Sequence, residues 1–96
     1  MGEMNFDHAI NVGGCFLILT CSACPEQYDV YKGKMQIGYM RLRHGWFRAD
    51  YPECGGETVY EAEPNGDGAF DDDERDRYLS EAVDALLKAH RAAANA

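Results

Sequence analysis

Tyr28-Asp29-Val30-Tyr31-Lys32-Gly33-Lys34-Met35-Gln36-Ile37-Gly38-Tyr39-Met40-Arg41-Leu42-Arg43 is the stretch that decides the fold. Tyr28, Val30 and Lys32 alternate with Asp29 and Tyr31, the two-residue period of a half-exposed strand. Lys32-Gly33-Lys34 supplies a turn, and Gln36 to Arg43 reads as the returning strand of a hairpin. Upstream, Phe16 to Thr20 is apolar enough for a buried strand, which ends before Pro25. Downstream, Gly45 breaks the chain and Trp46 to Tyr51 resumes it. Pro52-Glu53-Cys54-Gly55-Gly56 turns it again, and Thr58 to Ala62 makes a last strand.

From Asp71 the period changes. Leu79, Val83, Leu86 and His90 recur at helical spacing, and Tyr78, Ala82 and Leu87 widen the stripe. The first turn is acidic and the last holds Lys88, His90 and Arg91, both favourable to the helix dipole. The expected fold is therefore α+β, an antiparallel β-meander of four or five short strands packed against one C-terminal helix. Leu79, Val83 and Leu86 should meet Val30, Ile37, Leu42 and Val59. The 96 residues make a single domain. It divides into a polar lead-in (1–14), the meander (15–62), an acidic Gly-rich loop (63–70), the amphipathic helix (71–91) and a fraying tail (92–96).

Composition narrows the function classes. An apolar fraction of 46% excludes a disordered chain. Seventeen acids against nine bases give a net charge of −8, which argues against wrapping duplex DNA. No apolar run approaches a membrane span. The run Cys15 to Cys21 is preceded by Glu3 and Asp7 and by no Lys or Arg, unlike a signal peptide, so a cytoplasmic location is expected. Charge is also segregated. Val30 to Ala49 holds five bases and no acid, whereas Asp50 to Asp76 holds eleven acids and one Arg. A basic hairpin and an acidic end follow from this.

Glu63-Pro64-Asn65-Gly66-Asp67-Gly68-Ala69-Phe70-Asp71-Asp72-Asp73-Glu74 resembles the twelve-residue calcium loop of EF-hand proteins. The resemblance implies oxygen ligands from Glu63, Asn65, Asp67, the Ala69 carbonyl, Asp71 through water and Glu74 in bidentate mode. It departs from the family in having Glu63 at the first ligand and a strand before the loop. The alternative is a Gly-rich turn before a helix whose N-cap is Asp71 or Asp72. No cofactor is the expectation, with calcium the candidate should one be bound and zinc disfavoured.

Cys21-Ser22-Ala23-Cys24 has zinc-knuckle or dithiol spacing, but no second pair accompanies it, and His44 with Cys54 is an incomplete complement. Reduced, inert thiols are the expectation. No nucleophile–base signature or phosphate loop is present, so no enzyme is expected. Arg41, Arg43, Trp46 and Arg48 interleave base and aromatic as single-strand binders do, an alternative to a core hairpin with outward arginines.

Cys24 to Tyr31, Gly38 to Gly45, Gly66-Asp67-Gly68 and Asp73-Glu74-Arg75 together resemble a family of small, largely uncharacterised bacterial and phage proteins. By analogy, the resemblance implies a compact acidic protein that occupies a surface on host machinery. The expected function is a non-enzymatic protein that binds a protein partner, a phage or mobile-element inhibitor of host nucleic-acid-handling systems. The docking surface would be Asp50, Glu53, Glu57, Asp67, Asp71, Asp72 and Asp73, set against a basic groove. Calcium binding is the second reading and single-stranded nucleic acid binding the third.

Overall fold

A computed structural model describes residues 9–94. The acidic start with Glu3, Asp7 and His8, and the last two residues of the tail, lie outside the described residues. Six strands form one sheet, antiparallel throughout and ordered as in the sequence. They are β1 (Ala9–Val12), β2 (Cys15–Ser22), β3 (Glu26–Lys32), β4 (Met35–Arg43), β5 (Trp46–Tyr51) and β6 (Glu57–Ala62), followed by helix α1 (Asp72–Ala94). The α+β meander under one C-terminal helix is therefore the fold.

The count is six strands rather than four or five. Residues 9–12, which read as part of a polar lead-in, pair with β2 from Ala9↔Ile18 to Val12↔Cys15. Ile10 and Val12 give this short edge strand the same alternation as its neighbour. Helix α1 also continues past Arg91 to Ala94, because the tail alanines are strong helix formers. No helix among the described residues is long and apolar enough to cross a membrane.

Register sorts the side chains onto two faces. Leu17, Val30, Gly38, Met40, Leu42, Phe47 and Ala49 fall on the face that α1 covers. Leu79, Ala82, Val83 and Leu86 are the wholly buried residues of the helix stripe. Three hairpins each carry one extra residue, Thr20 in β2, Ile37 in β4 and Val59 in β6. Ile37 is wholly buried, whereas Val59 is only half-buried and packs at the margin of the core.

Phe47 is the centre of the aromatic packing. Its ring meets Phe70 edge-on at 4.8 Å and Tyr60 at 5.9 Å, and Phe70 stacks on Tyr78 at 5.9 Å. Phe70 belongs to the loop between β6 and α1, so its insertion ties that loop to the core. At the other end of the helix, His90 Nδ1 lies 3.1 Å from the Tyr51 hydroxyl.

Gly38 explains how closely the helix approaches. A Cβ built there would sit 2.5 Å from Leu86 Cδ1 and 2.7 Å from Cδ2, so the leucine occupies the space of the missing side chain. Leu86→Ala should therefore cost about 2–5 kcal/mol, and Gly38→Ala about 1–3 kcal/mol from overpacking. The double variant should be clearly less destabilised than the sum, because each change relieves the other. Urea unfolding of the three proteins checks this, and strict additivity would show that Leu86 does not seat on Gly38.

Candidate functional site

The β2–β3 turn, the β4–β5 turn and loop 63–71 meet at one end of the sheet. Gly68 O accepts from Cys24 N and Glu26 N, and Asp67 O accepts from Gly45 N, all at 2.8 Å. Below them lies Glu26, only 2% exposed. Its Oε2 accepts from the Tyr28 hydroxyl at 2.5 Å and Arg75 Nε at 2.9 Å, and its Oε1 from Phe70 N at 3.0 Å and an Arg75 terminal nitrogen at 3.1 Å. Arg75 also donates to Asp72 and to the Phe70 carbonyl. Burial, then the hydrogen bond to Glu26, pushes the Tyr28 hydroxyl pKa up, and the two carboxylates raise that of Arg75 further.

Glu74 organises the loop itself. Its Oε1 accepts from Asn65 N at 2.8 Å, and its Oε2 from Gly66 N at 2.8 Å and Asp71 N at 3.0 Å. The Asp71 carbonyl accepts the first helical bonds, from Glu74 N and Arg75 N, so Asp71 is the N-cap and Glu74 the third helical residue. This is one half of a capping box. Burial alone would raise the Glu74 pKa, but the three N–H donors outweigh it and hold it below the ordinary value.

Of the six positions of the calcium reading, Glu74 draws in Asn65 and Asp71 through their backbone amides. Glu63, Asn65, Asp67 and Asp71 are exposed, and Glu74 faces N–H donors, the surroundings an anion takes. Among the described residues no group of three or more His, Cys, Asp or Glu is placed to hold a metal ion. Cys54 lies in the β5–β6 turn, at the opposite end of the sheet from His44. The described cysteines are free: Cys15 is buried in the core, where desolvation pushes its thiol pKa up, Cys21 is half-buried, and Cys24 and Cys54 are exposed.

The acidic stretch is divided as well. Glu53 and Glu57 sit at one end of β6 and Asp67, Asp71, Asp72 and Asp73 beyond the other, about 20 Å apart over a six-residue strand. Asp50 is no surface residue at all. It is 1% exposed and accepts from Thr58 Oγ1 at 2.8 Å and Gly55 N at 3.2 Å, because the 52–56 turn folds over it.

The face of the sheet away from α1 brings the basic hairpin residues together. Arg41 pairs with Arg48 and Arg43 with Trp46 across β4 and β5, so all four lie on this open face. Trp46 is 41% exposed, its Nε1 donates to Glu61 at 3.0 Å, and the Arg48 guanidinium lies 5.4 Å from its ring centre. Arg48 Nε also approaches buried Asp50 at 3.4 Å. Arg41 and Arg43 have no carboxylate partner among the described residues. Tyr39, whose hydroxyl donates to Gln27 Oε1, lies beside half-buried Asp29, which pairs with it across β3 and β4. Burial pushes the Asp29 carboxyl pKa up.

Sequence reasoning missed Glu26, Asp29 and Glu74 as structural groups. Glu26 shares the inward parity of Tyr28 and Val30, which was a legible signal. It also missed a cleft of about 260 Å³ at the rim of the open face, lined by Cys24, Arg43, His44, Asp67 and Gly68.

The two perturbed carboxylates have opposite pH signatures. Glu74 has a lowered folded pKa, so it stabilises above its ordinary value near 4.5 and loses that contribution as pH falls through the folded value. Glu74→Gln should lower Tm at neutral pH and flatten the acid limb, in calcium and in chelator alike. A calcium-dependent rise in Tm that this substitution removes would show instead that the loop closes on the ion. Asp29 has a raised folded pKa, so its ionised form weakens the fold, and stability recovers as pH falls through that value. Asp29→Asn should raise Tm at neutral pH, with the gain fading in acid. Thermal melts followed by circular dichroism across this range check both signs. Comparison of the chain with protein-family models, curated proteins and solved structures finds no match in any of the three.

Proposed function

We propose that this chain is a non-enzymatic binding protein that docks on a protein partner through the open face of its sheet. One observation carries this reading: Arg41 and Arg43 stand beside Trp46 and Arg48 with no ion pair among the described residues, on a molecule with seventeen acids and nine bases. An acidic protein that leaves two neighbouring arginines uncompensated has a face complementary to carboxylates supplied from outside. Trp, Tyr and Arg are also the residues that dominate binding energy in protein interfaces. The partner's chemistry is then a cluster of carboxylates around a pocket that admits the Trp46 ring.

Single-stranded nucleic acid is the second reading, favoured by the gathering of the same four residues on one face. The charge pattern supports a protein better. Asp29 and Glu61 lie on that face with the arginines, and each would repel a passing phosphate backbone. The narrower role, inhibition of host nucleic-acid-handling machinery, is supported by the resemblance to small phage and bacterial proteins. In that role Asp67, Asp71 and Asp73 at the loop end remain available to a basic groove.

The test compares the wild-type chain with Arg41→Ala/Arg43→Ala and Trp46→Ala, each immobilised in host lysate. A stoichiometric protein should be retained by wild type, released as salt rises, and lost from both variants. Retention unaffected by the arginine changes would place the docking surface elsewhere. Trp46 fluorescence titrated with mixed single strands at low salt should not respond, and a salt-sensitive response would favour nucleic acid.

A further inference from the structure

We propose that the cleft lined by Cys24, Arg43, His44, Asp67 and Gly68 is a thiol-exchange site for a small zwitterionic disulfide of the amino-acid or peptide class. Three separate segments build it. Cys24 comes from the β2–β3 turn, Arg43 and His44 from the end of β4 and its turn, and Asp67 and Gly68 from the loop after β6. The backbone bonds from Cys24 and Gly45 to that loop hold the three in register.

The cleft brings a nucleophile together with both charges needed to seat such a molecule. Cys24 is exposed, and Gly68 keeps its sulfur uncovered, since a Cβ there would lie 2.7 Å from Sγ. Arg43 offers a fork for a carboxylate, and it has no acid of its own among the described residues. Asp67 supplies an acceptor for an α-ammonium. A volume of about 260 Å³ is of the size of an amino-acid or short peptide thiol. The other thiols lack this setting. Cys15 is wholly buried, Cys21 is half-buried with its Sγ 3.4 Å from the Ala23 carbonyl, and exposed Cys54 lies in the turn that carries Glu53.

In the exchange, Cys24 loses its proton and its sulfur attacks one sulfur of the disulfide. The S–S bond of the small molecule breaks as the new Cys24 S–S bond forms. The departing sulfur leaves with the bonding pair and takes up a proton as a free thiol. Cys24 is oxidised by the half of the disulfide that is reduced, so no other oxidant enters. The product places a charged adduct at the rim of the open face, next to Arg43.

The experiment follows the reduced full chain in glutathione disulfide by intact mass and peptide mapping, with the neutral bis(2-hydroxyethyl) disulfide as reference. Cys24 should form the mixed disulfide several-fold faster than Cys54 with glutathione disulfide, and the advantage should shrink with the neutral reagent. Arg43→Gln should remove the advantage for glutathione disulfide alone, and Arg43→Lys should restore part of it. Asp67→Asn should weaken it without altering the neutral reaction. Equal rates at Cys24 and Cys54, an unchanged rate in Arg43→Gln, or an internal Cys21–Cys24 disulfide in place of the retained adduct would each overturn the proposal. Partner capture is a separate readout, so failure here leaves the docking reading standing.

Discussion

The structure depends on a buried charge. Glu26 sits at the start of β3 with every lone-pair direction met, by a tyrosine hydroxyl, a backbone amide and two nitrogens of one guanidinium. Desolvating a carboxylate costs several kcal/mol, and only bidentate pairing with further hydrogen bonds offsets that cost. Here the offset comes from three pieces, the strand itself and, 44 to 49 positions later, the loop at Phe70 and the first turn of α1. None can move without uncovering the charge. The pair therefore fixes where the helix begins relative to the sheet, and Phe70 then falls against Phe47. A hydrophobic replacement could fill the same volume, but it would not fix the three pieces in one arrangement.

A second carboxylate does comparable work by a different route. Glu74 collects the amides of Asn65, Gly66 and Asp71. These are donors that a nine-residue loop would otherwise leave to solvent. The outcome is a rigid platform whose polar groups are satisfied inward, which leaves the flanking cleft and the open face as the chemically unsatisfied parts. The division follows from the single helix. One face of the sheet has an apolar partner within the chain. The other retains arginines, tyrosines and a desolvated aspartate.

Much of this was legible in the sequence where a short-range pattern governs it. The alternation of Tyr28 and Val30, the punctuation at Gly33 and Gly45, and the 3.6-residue recurrence of Leu79, Val83 and Leu86 specify hairpins and helix with little help from distant residues. Ile10 and Val12 were too few to declare a strand until β2 was present to pair with them. The site was less legible because its determinants are long-range. Glu26 and Arg75 are 49 positions apart. Asp50 has outward parity and is covered only because a turn closes over it. Residues 63–74 share with a calcium loop a Gly at a tight turn and a Glu in the first turn of a helix. The chemistry of the Glu differs, since here it faces N–H groups.

The three extra residues, Thr20, Ile37 and Val59, have a consequence for shape. Six strands at ordinary spacing span about 24 Å, while a helix with its side chains is about 10 Å across. A flat sheet would leave β1 and β2 beyond the reach of α1, yet Cys15 and Leu17 are wholly buried. Bulges increase local twist, and those in three of the five hairpins let the sheet curl around the helix. The covered side is then a trough and the open side its outer wall. In the proposed docking, Arg41 and Trp46 would stand on an outward-curving wall, and the partner would supply the matching hollow.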